Sequence, residues 1–526
     1  MAQAPSVNLI LRDRLAKWAQ VRPDAPFVMN VETGNALTYS EFFHATEALR
    51  FALNRLDSAP LRIALMAPGG VASAVVWIAA LTGGHTLLPL SPAAPELEVE
   101  RVSRRFHPDL LITAGEHGDE AALAFGLGSE RVWSLERVEA LAEAAEPGAS
   151  EVSAPECRPG RLFLFTSGST GEPKGALLTA DQIAWTAEQI SLSHELGPAD
   201  RGLTTLPFFH INAPVVSLCA SLMAGASIVI APRFSLSQFW EWIERYEVTW
   251  ASVVPTIVAL LLKTERPAFL PGALRFIRTA SASLPAEHMT RFELQFGIPL
   301  IETYGLTEAA SQVCANPLPP AVHKAGSVGL PVGIALRVCA PSSPEDDGAL
   351  RDVAPGATGE VCVKGPALIS GYADGVGSAA FQDGWFRTGD LGYQDADGYL
   401  YLTGRLRDVI IRGGENVAPR EVEEALLYCP EIEEVAVVGC PDPLYGEQVV
   451  AYVIPVGEWS SGLEAELRAV ATSRLSAHKR PAAYEPLSAL PRTANGKVDR
   501  PRLRWMWARR NGYQTPTRGA SAPRAG

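Results

Sequence analysis

Short apolar runs alternate with longer stretches of helical periodicity through the first part of the chain. Arg62-Ile-Ala-Leu-Met66 reads as a strand, Val71 to Leu81 as a helix and Thr86-Leu-Leu-Pro-Leu90 as the next strand. The rhythm returns with Ser227 to Ile230, a helical Ser237 to Tyr246 and a strand over Thr249 to Val254. Strands buried on both faces lose the polar alternation, so such runs separated by helices predict largely parallel sheets covered by helices. From about 325 to 404 the texture changes to strands punctuated by Gly, Pro and Asp, as in Gly359-Glu-Val-Cys-Val-Lys364 and Asp395-Ala-Asp-Gly398. That texture predicts a smaller antiparallel or barrel-like β unit.

Beyond residue 405 a new set of elements begins. Glu421 to Tyr428 and Leu463 to Leu475 read as helices, and Glu434 to Gly439 and Gln448 to Val453 as strands, which suits a compact α+β domain. The fold expected is therefore α/β: an N-terminal domain over 1–404, made of βαβ subdomains and the small β unit, then a C-terminal domain over 405–511. Segments 144–160 and 341–357 read as loops, and 512–526 as a disordered tail.

Two long uncharged stretches raise the question of membrane spans. Ile63 to Gly84 is broken by Pro68-Gly69-Gly70, and Ile211 to Pro232 by Pro214 and Gly225, so both read as buried strand and helix units. The N-terminal segment places Leu11, Leu15 and Trp18 at helical spacing among basic residues, without the apolar core of a signal peptide. With 526 residues, 47% hydrophobic and 20% charged, the chain has the composition of a folded protein. Its length suggests about three or four domains or subdomains. A formal charge of −13 argues against a general nucleic-acid binder. The seven cysteines are scattered and form no CxxC pair, which points to reduced thiols and a cytoplasmic setting.

The densest chemistry lies at Thr166-Ser167-Gly168-Ser169-Thr170-Gly171-Glu172-Pro173-Lys174-Gly175, directly after the apolar Leu162 to Phe165. Glycines let backbone N–H groups converge and the hydroxyls add donors, so this loop is suited to cradling phosphate oxygens, a polar linker being the plain alternative. It is not a Walker A loop, because Pro173 and Lys174 stand where that pattern needs Gly and Lys. Four further islands follow in order: Thr303-Tyr-Gly-Leu-Thr307-Glu308, Gly384 to Gly392 with Asp390 inside it, Gly404-Arg405 running on through Gly413-Gly414-Glu415-Asn416, and Pro491 to Val498 with Lys497 inside it. Each string is weak alone; five in this order are specific.

On those islands the chain resembles the adenylate-forming superfamily of acyl-CoA synthetases, nonribosomal-peptide adenylation domains and beetle luciferases, over nearly its whole length. The resemblance implies a large N-terminal domain and a small mobile C-terminal domain that pivots at Arg405 to Asp408. It implies that a carboxylate attacks the α-phosphate of ATP to give an acyl-adenylate and pyrophosphate, after which a thiol takes the acyl group. ATP, Mg²⁺ and coenzyme A are the cofactors implied, with a small-molecule carboxylate as substrate and a carrier protein as an alternative acceptor. By the same resemblance Thr166, Ser167, Gly168, Ser169, Thr170 and Lys174 form the β/γ-phosphate loop, Glu308 holds Mg²⁺ and Thr307 contacts the α-phosphate. Asp390 would accept the ribose hydroxyls, with Arg405 a second ribose or phosphate contact. Tyr304 would stack near adenine beside Ser281, Ala282 and Ser283.

Lys497 is the implied catalytic cation of the first step, since its ammonium can bridge the attacking carboxylate and the α-phosphoryl oxygens. Gly413 and Gly414 belong to the face expected to meet the thiol, and His478-Lys479-Arg480 is a candidate for the phosphates of coenzyme A or an ordinary basic turn. Arg407 stands at the pivot, where the family more often has Lys or Asp. His210 is expected to gate the carboxylate entrance, a core histidine being the competing reading. Phe209 to Asn212, Val215 to Leu218, Ser281 to Ser283, Glu302 and Thr303 are expected to wall the acyl pocket. These segments contain no arginine, which favours a neutral, mid-sized acid. Adenylation of another anion, such as nitrite for arylamine diazotisation, is a further alternative. The basic, Trp-rich Arg502 to Arg510 reads as a terminal helix packed on the small domain.

Overall fold

The computed structural model describes residues 10–57, 59–114, 118–144, 160–166, 174–267, 272–341, 350–373, 375, 380–493 and 497–513. The tail from 514, residues 145–159 and 342–349 of the two expected loops, and 167–173 of the expected phosphate loop lie outside these residues. Two compact units organise the chain. One is drawn from Met1–Gly168, Pro173–Ala335 and Lys364–Phe386, the other mainly from Leu336–Val363 and Arg387–Gly526.

The first unit holds two sheets. In the nine-stranded one, Leu300–Leu306, Phe276–Thr279, Trp250–Val253, Arg201–Thr204, Ser227–Ile230 and Pro26–Asn30 follow one another in parallel. Antiparallel strands flank them, Ser311–Ala315 and Leu330–Pro331 on one side and Ala36–Thr38 on the other. The six-stranded sheet is parallel except at one edge, where Arg161–Thr166 pairs antiparallel with Lys174–Thr179. The predicted strands at 62–66, 86–90 and 227–230 are found at those positions, and the helix expected from Ser237 is the shorter Phe239–Arg245.

Burial explains the uncharged stretches. Every residue from Ala72 to Leu81 of the helix Val71–Thr82 is buried, so its apolar surface serves the core on all sides. The second stretch is divided into a wide π-type helix, Asn212–Cys219, a short α-helix, Ala220–Ala224, and the strand Ser227–Ile230. Among the described residues no helix is long and apolar enough to cross a membrane. Helix starts are set by local chemistry. Thr38 with Glu41 and Thr179 with Gln182 form capping boxes that satisfy the first amides of Tyr39–Leu56 and Ala180–Ser193, each contributing about 1 kcal/mol.

The parallel arrangement also places the chemistry. Arg201–Thr204, Trp250–Val253, Phe276–Thr279 and Leu300–Leu306 all run the same way, so the segments that leave their C-terminal ends share one edge. Those segments carry His210, Val254, Ser281 and Thr307. In open α/β sheets that edge is where ligands bind.

In the second unit, Ala335–Cys339, Gly359–Lys364, Trp385–Gln394 and Leu400–Arg405 succeed one another in a sheet, the last two antiparallel. A second sheet orders Glu415–Val417, Ile410–Arg412, Gly446–Pro455 and Ile432–Asp442, with Ala483–Pro486 also on Gly446–Pro455. Helices Pro419–Leu426 and Ser461–Arg474 contribute to one apolar cluster of this unit, and Arg500–Arg510 to another. In the last helix Leu503 and Trp507 are buried, while Trp505 is flanked by the guanidinium groups of Arg502 and Arg509 at 4.3 and 5.2 Å. The mixture of basic and aromatic residues there is thus internal packing and cation–π contact. The six described cysteines are buried free thiols; Cys157 lies outside the described residues.

Candidate active site

Lys174 opens the strand Lys174–Thr179 directly opposite Thr166, the last residue of Arg161–Thr166. Ser167, Gly168, Ser169 and Thr170 lie outside the described residues. The Lys174 ammonium stands over the ring of Tyr372 at 4.9 Å. The hydroxyl of that tyrosine donates to Oε1 of Glu308 at 2.7 Å. Backbone bonds fasten the same segment at both ends: Ile369 N–H donates to Glu308 O at 2.9 Å, and Ala373 N–H to Gly175 O at 2.8 Å. One stretch of chain, 369–373, therefore ties the lysine of the expected phosphate loop to the carboxylate expected to hold the metal. Tyr372 had no sequence signal, because both its partners are remote in the chain.

Thr307 and Glu308 sit on the single 3₁₀ turn Thr307–Ala309 after Leu300–Leu306. The turn depends on Gly305, since a Cβ there would lie 1.8 Å from Ser311 O. Tyr304 is almost fully buried beside it. Among the described residues there is no group of three or more His, Cys, Asp or Glu that would cage a cation. Mg²⁺ commonly needs only one or two carboxylates together with phosphate oxygens, so Glu308 fits that role.

The acyl-pocket candidates converge on a residue the sequence reading left out. Arg278, three positions before Ser281, is 1% exposed. Its Nη1 donates to Asn212 Oδ1 at 2.9 Å and to Ser252 Oγ at 3.0 Å, and its Nη2 donates to Thr303 Oγ1. Asn212 in turn donates through Nδ2 to Ser281 Oγ at 3.0 Å. Ser281, with φ of 75°, holds the left-handed conformation, and Ser281, Ala282 and Ser283 are exposed. Glu302 is buried and accepts the N–H of Leu284 at 3.1 Å, which anchors this turn from behind. His210 is half-buried in the turn before Asn212–Cys219, its ring 4.5 Å from that of Phe209. An arginine, absent from the expected wall segments, thus stands behind Asn212 and Thr303 on the strand beside Leu300–Leu306.

The second unit builds its own polar cluster across its strands. Asp390 Oδ1 and Arg405 Nε pair at 2.9 Å across the antiparallel strands, with Asp390 nearly buried. Thr388 shapes the approach, donating to Val361 O at 2.8 Å and accepting from Asp390 N–H at 3.0 Å. Behind it, buried Glu360 pairs with Arg387 and accepts the N–H of Gly389. Gly413 and Gly414, with φ of 60° and 86°, make the two-residue turn between Arg412 and Glu415. Such a turn requires positive φ at both positions, which is why two glycines stand there. Lys479 Nζ is engaged by Glu421 at 2.5 Å, so the basic turn is already partly compensated. Arg407 Nε lies 3.9 Å from Asp408, and burial together with the nearby Arg405 lowers its pKa. Lys497 is exposed, its carbonyl accepting the N–H of Thr493 at 2.8 Å.

The first unit thus brings Lys174, Tyr372 and Glu308 together, and the second carries the Asp390–Arg405 pair and the exposed Lys497; with the likenesses that follow, the chain is an AMP-forming acid–thiol ligase of the acyl-CoA synthetase type. A family profile described as AMP-binding enzyme matches residues 15–373, and one described as AMP-binding enzyme C-terminal domain matches 421–497. The chain belongs to this family of AMP-binding enzymes, as the five motifs implied, and ATP, Mg²⁺ and coenzyme A are the cofactors of its chemistry. It is 38% identical over 503 residues to the sulfoacetate–CoA ligase of Cupriavidus necator, covering 93% of this chain and 96% of that protein. It is 35% identical over 460 residues to an oxalate–CoA ligase of Arabidopsis thaliana, covering 83% and 87%. Among solved structures, ATP-bound MatB from Rhodopseudomonas palustris matches with a TM-score of 0.84 at 26% identity, over 94% of this chain and 98% of that one. The o-succinylbenzoate CoA synthetase of Bacillus subtilis, in complex with its acyl-adenylate intermediate, matches with a TM-score of 0.78 at 29% identity, over 93% and 97%.

Proposed function

We propose that the enzyme activates a compact acid with ATP and passes it to free coenzyme A, using the residues named above in the following roles. Lys174, with the loop donors around it, neutralises the β- and γ-phosphates. Glu308 would hold Mg²⁺, which when bound would supply positive charge to offset that of the phosphates. Thr307 donates to the α-phosphate, and Asp390 accepts from the ribose hydroxyls with Arg405 beside it. Lys497 draws the substrate carboxylate and the α-phosphoryl group together, compensating the charge that builds as the new oxygen–phosphorus bond forms and pyrophosphate leaves. His210 guards the approach of the carboxylate. Residues from 405 onward form the mobile part, pivoting at Arg405 to Asp408, so that the face with Gly413 and Gly414 serves the thiol step once Lys497 has withdrawn.

The observation that carries this reading is the Lys174–Tyr372–Glu308 array, which joins a phosphate-binding cation to a metal-binding carboxylate through one side chain. The compact acid is suggested by relatives named for sulfoacetate and oxalate. The test is pyrophosphate release with Mg-ATP across a panel of acids, followed by mass spectrometry with and without coenzyme A. An acyl-CoA mass supports the proposal. Accumulated acyl-AMP that coenzyme A does not discharge would make a carrier protein the acceptor, and silence with every acid would overturn the reading.

A further inference from the structure

Arg278 is a buried cation whose hydrogen-bond acceptors are all neutral. Asn212 Oδ1, Ser252 Oγ and Thr303 Oγ1 receive its N–H groups, while its Nε has no partner among the described residues. The strand register keeps the buried carboxylate of Glu302, on the adjoining strand, away. Arg278 lies opposite Ile301 and Thr279 opposite Glu302, so the side chains of Arg278 and Glu302 leave opposite faces of the sheet. His194, which feels the field of Arg278, is held neutral: burial and then that field push its pKa down to about 3. Burial lowers Arg278 itself only to about 9, so it is charged at neutral pH. A buried charge without a counter-charge is costly, and most are paired.

The hydrogen bonds around this arginine have a direction. Thr303 gives its own proton to Thr279 O at 3.1 Å, so it meets Arg278 with a lone pair. Asn212 must present its oxygen to the guanidinium, which turns its amide N–H toward Ser281 Oγ. Ser281 therefore accepts from Asn212 and keeps its own O–H for something else, on a turn that is exposed. Donors thus run outward from the buried Arg278 to the open Ser281, and such a row ends well on an anion.

We propose that Arg278 is a positioning residue that, through Asn212 and Ser281, selects acids carrying a second anionic group, a carboxylate or a sulfonate, over singly charged acids of equal length. This inference rests on the ligase reading above and replaces the neutral acid expected from the wall segments.

The experiment measures kcat/KM for pyrophosphate release with oxalate, malonate, succinate and sulfoacetate against acetate, propionate and butyrate. Wild type is expected to favour its best doubly charged acid by about 30-fold or more. In Arg278→Gln that ratio should fall at least about tenfold, and Arg278→Lys should restore part of it. Since the loss of a buried arginine can block folding, Asn212→Asp is the second variant. It supplies Arg278 with an internal carboxylate and should collapse the same ratio. A wild type that prefers singly charged acids, or variants that slow all acids by one common factor, would overturn the assignment of Arg278 and leave the ligase standing. Absence of pyrophosphate release with every acid would overturn both.

Discussion

The Tyr372 hydroxyl donates to Glu308 Oε1 at 2.7 Å while its ring carries the Lys174 ammonium at 4.9 Å. The tyrosine thereby fixes the carboxylate's orientation, which in the role proposed for Glu308 is what outer partners of metal ligands commonly do. Tyr372→Phe keeps the ring and the cation–π contact but removes the donor. The Mg²⁺ concentration for half-maximal activity is expected to rise about fivefold, which corresponds to about 1 kcal/mol for one hydrogen bond. Activity titrations with Mg²⁺ at saturating ATP check this; an unchanged midpoint would show that Glu308 is oriented without the tyrosine.

Lys497→Ala should slow acyl-adenylate formation by about a hundredfold or more while weakening ATP binding far less, because the ammonium acts on charge that develops during the reaction. The same variant given preformed acyl-adenylate and coenzyme A should still make thioester. Single-turnover assays of the two half-reactions separate these outcomes.

Asp390 lies 2.9 Å from Arg405, on a strand whose nearby residues Thr388 and Arg387 are tied to Val361 and the buried Glu360. Removing the carboxylate in Asp390→Ala costs two charge-assisted hydrogen bonds to ribose in the proposed mode. The KM for ATP is expected to rise about a hundredfold. The corresponding 2′-deoxy-ATP penalty, large in wild type, should nearly vanish in the variant.

Gly305 has no room for a side chain, its ideal Cβ falling 1.8 Å from a backbone oxygen, so Gly305→Ala must displace the turn that carries Thr307 and Glu308. Backbone cannot yield cheaply, and a loss of about 2 kcal/mol or more in stability is expected, together with most of the activity. Thermal melting and pyrophosphate release report the two effects.

Acid sensitivity should come from two buried histidines. Burial pushes His194 to about 3 and His85 to about 4, so both are neutral in the folded protein at pH values where the unfolded chain already protonates them. Between about 6.5 and those folded values the unfolded state binds more protons, and stability falls as pH falls. At pH 5 each contributes a loss of about 2 kcal/mol relative to neutral pH. Urea unfolding at pH 7.5 and pH 5 measures it. His194→Gln, whatever its stability at pH 7.5, should show a shallower decline.

The alternation of apolar runs and helical segments was enough to determine the parallel sheets and the helices that cover them, because strands buried on both faces and helices buried all round leave a one-dimensional signature. Val71–Thr82 and Ser227–Ile230 are such cases. Local motifs likewise marked Lys174, Glu308, Asp390 and the Gly413-Gly414 turn, whose residue types are dictated by backbone conformation or charge within a few positions. What the sequence by itself did not determine was the company these residues keep. Tyr372 meets Lys174 and Glu308, and Arg278 meets Asn212, Ser252 and Thr303, only because the fold brings together strands and loops remote in the chain. A tyrosine after a glycine and an arginine in an apolar strand look ordinary in one dimension. Their partners, and the absence of a carboxylate beside Arg278 among the described residues, were decided by strand order and register in the tertiary structure.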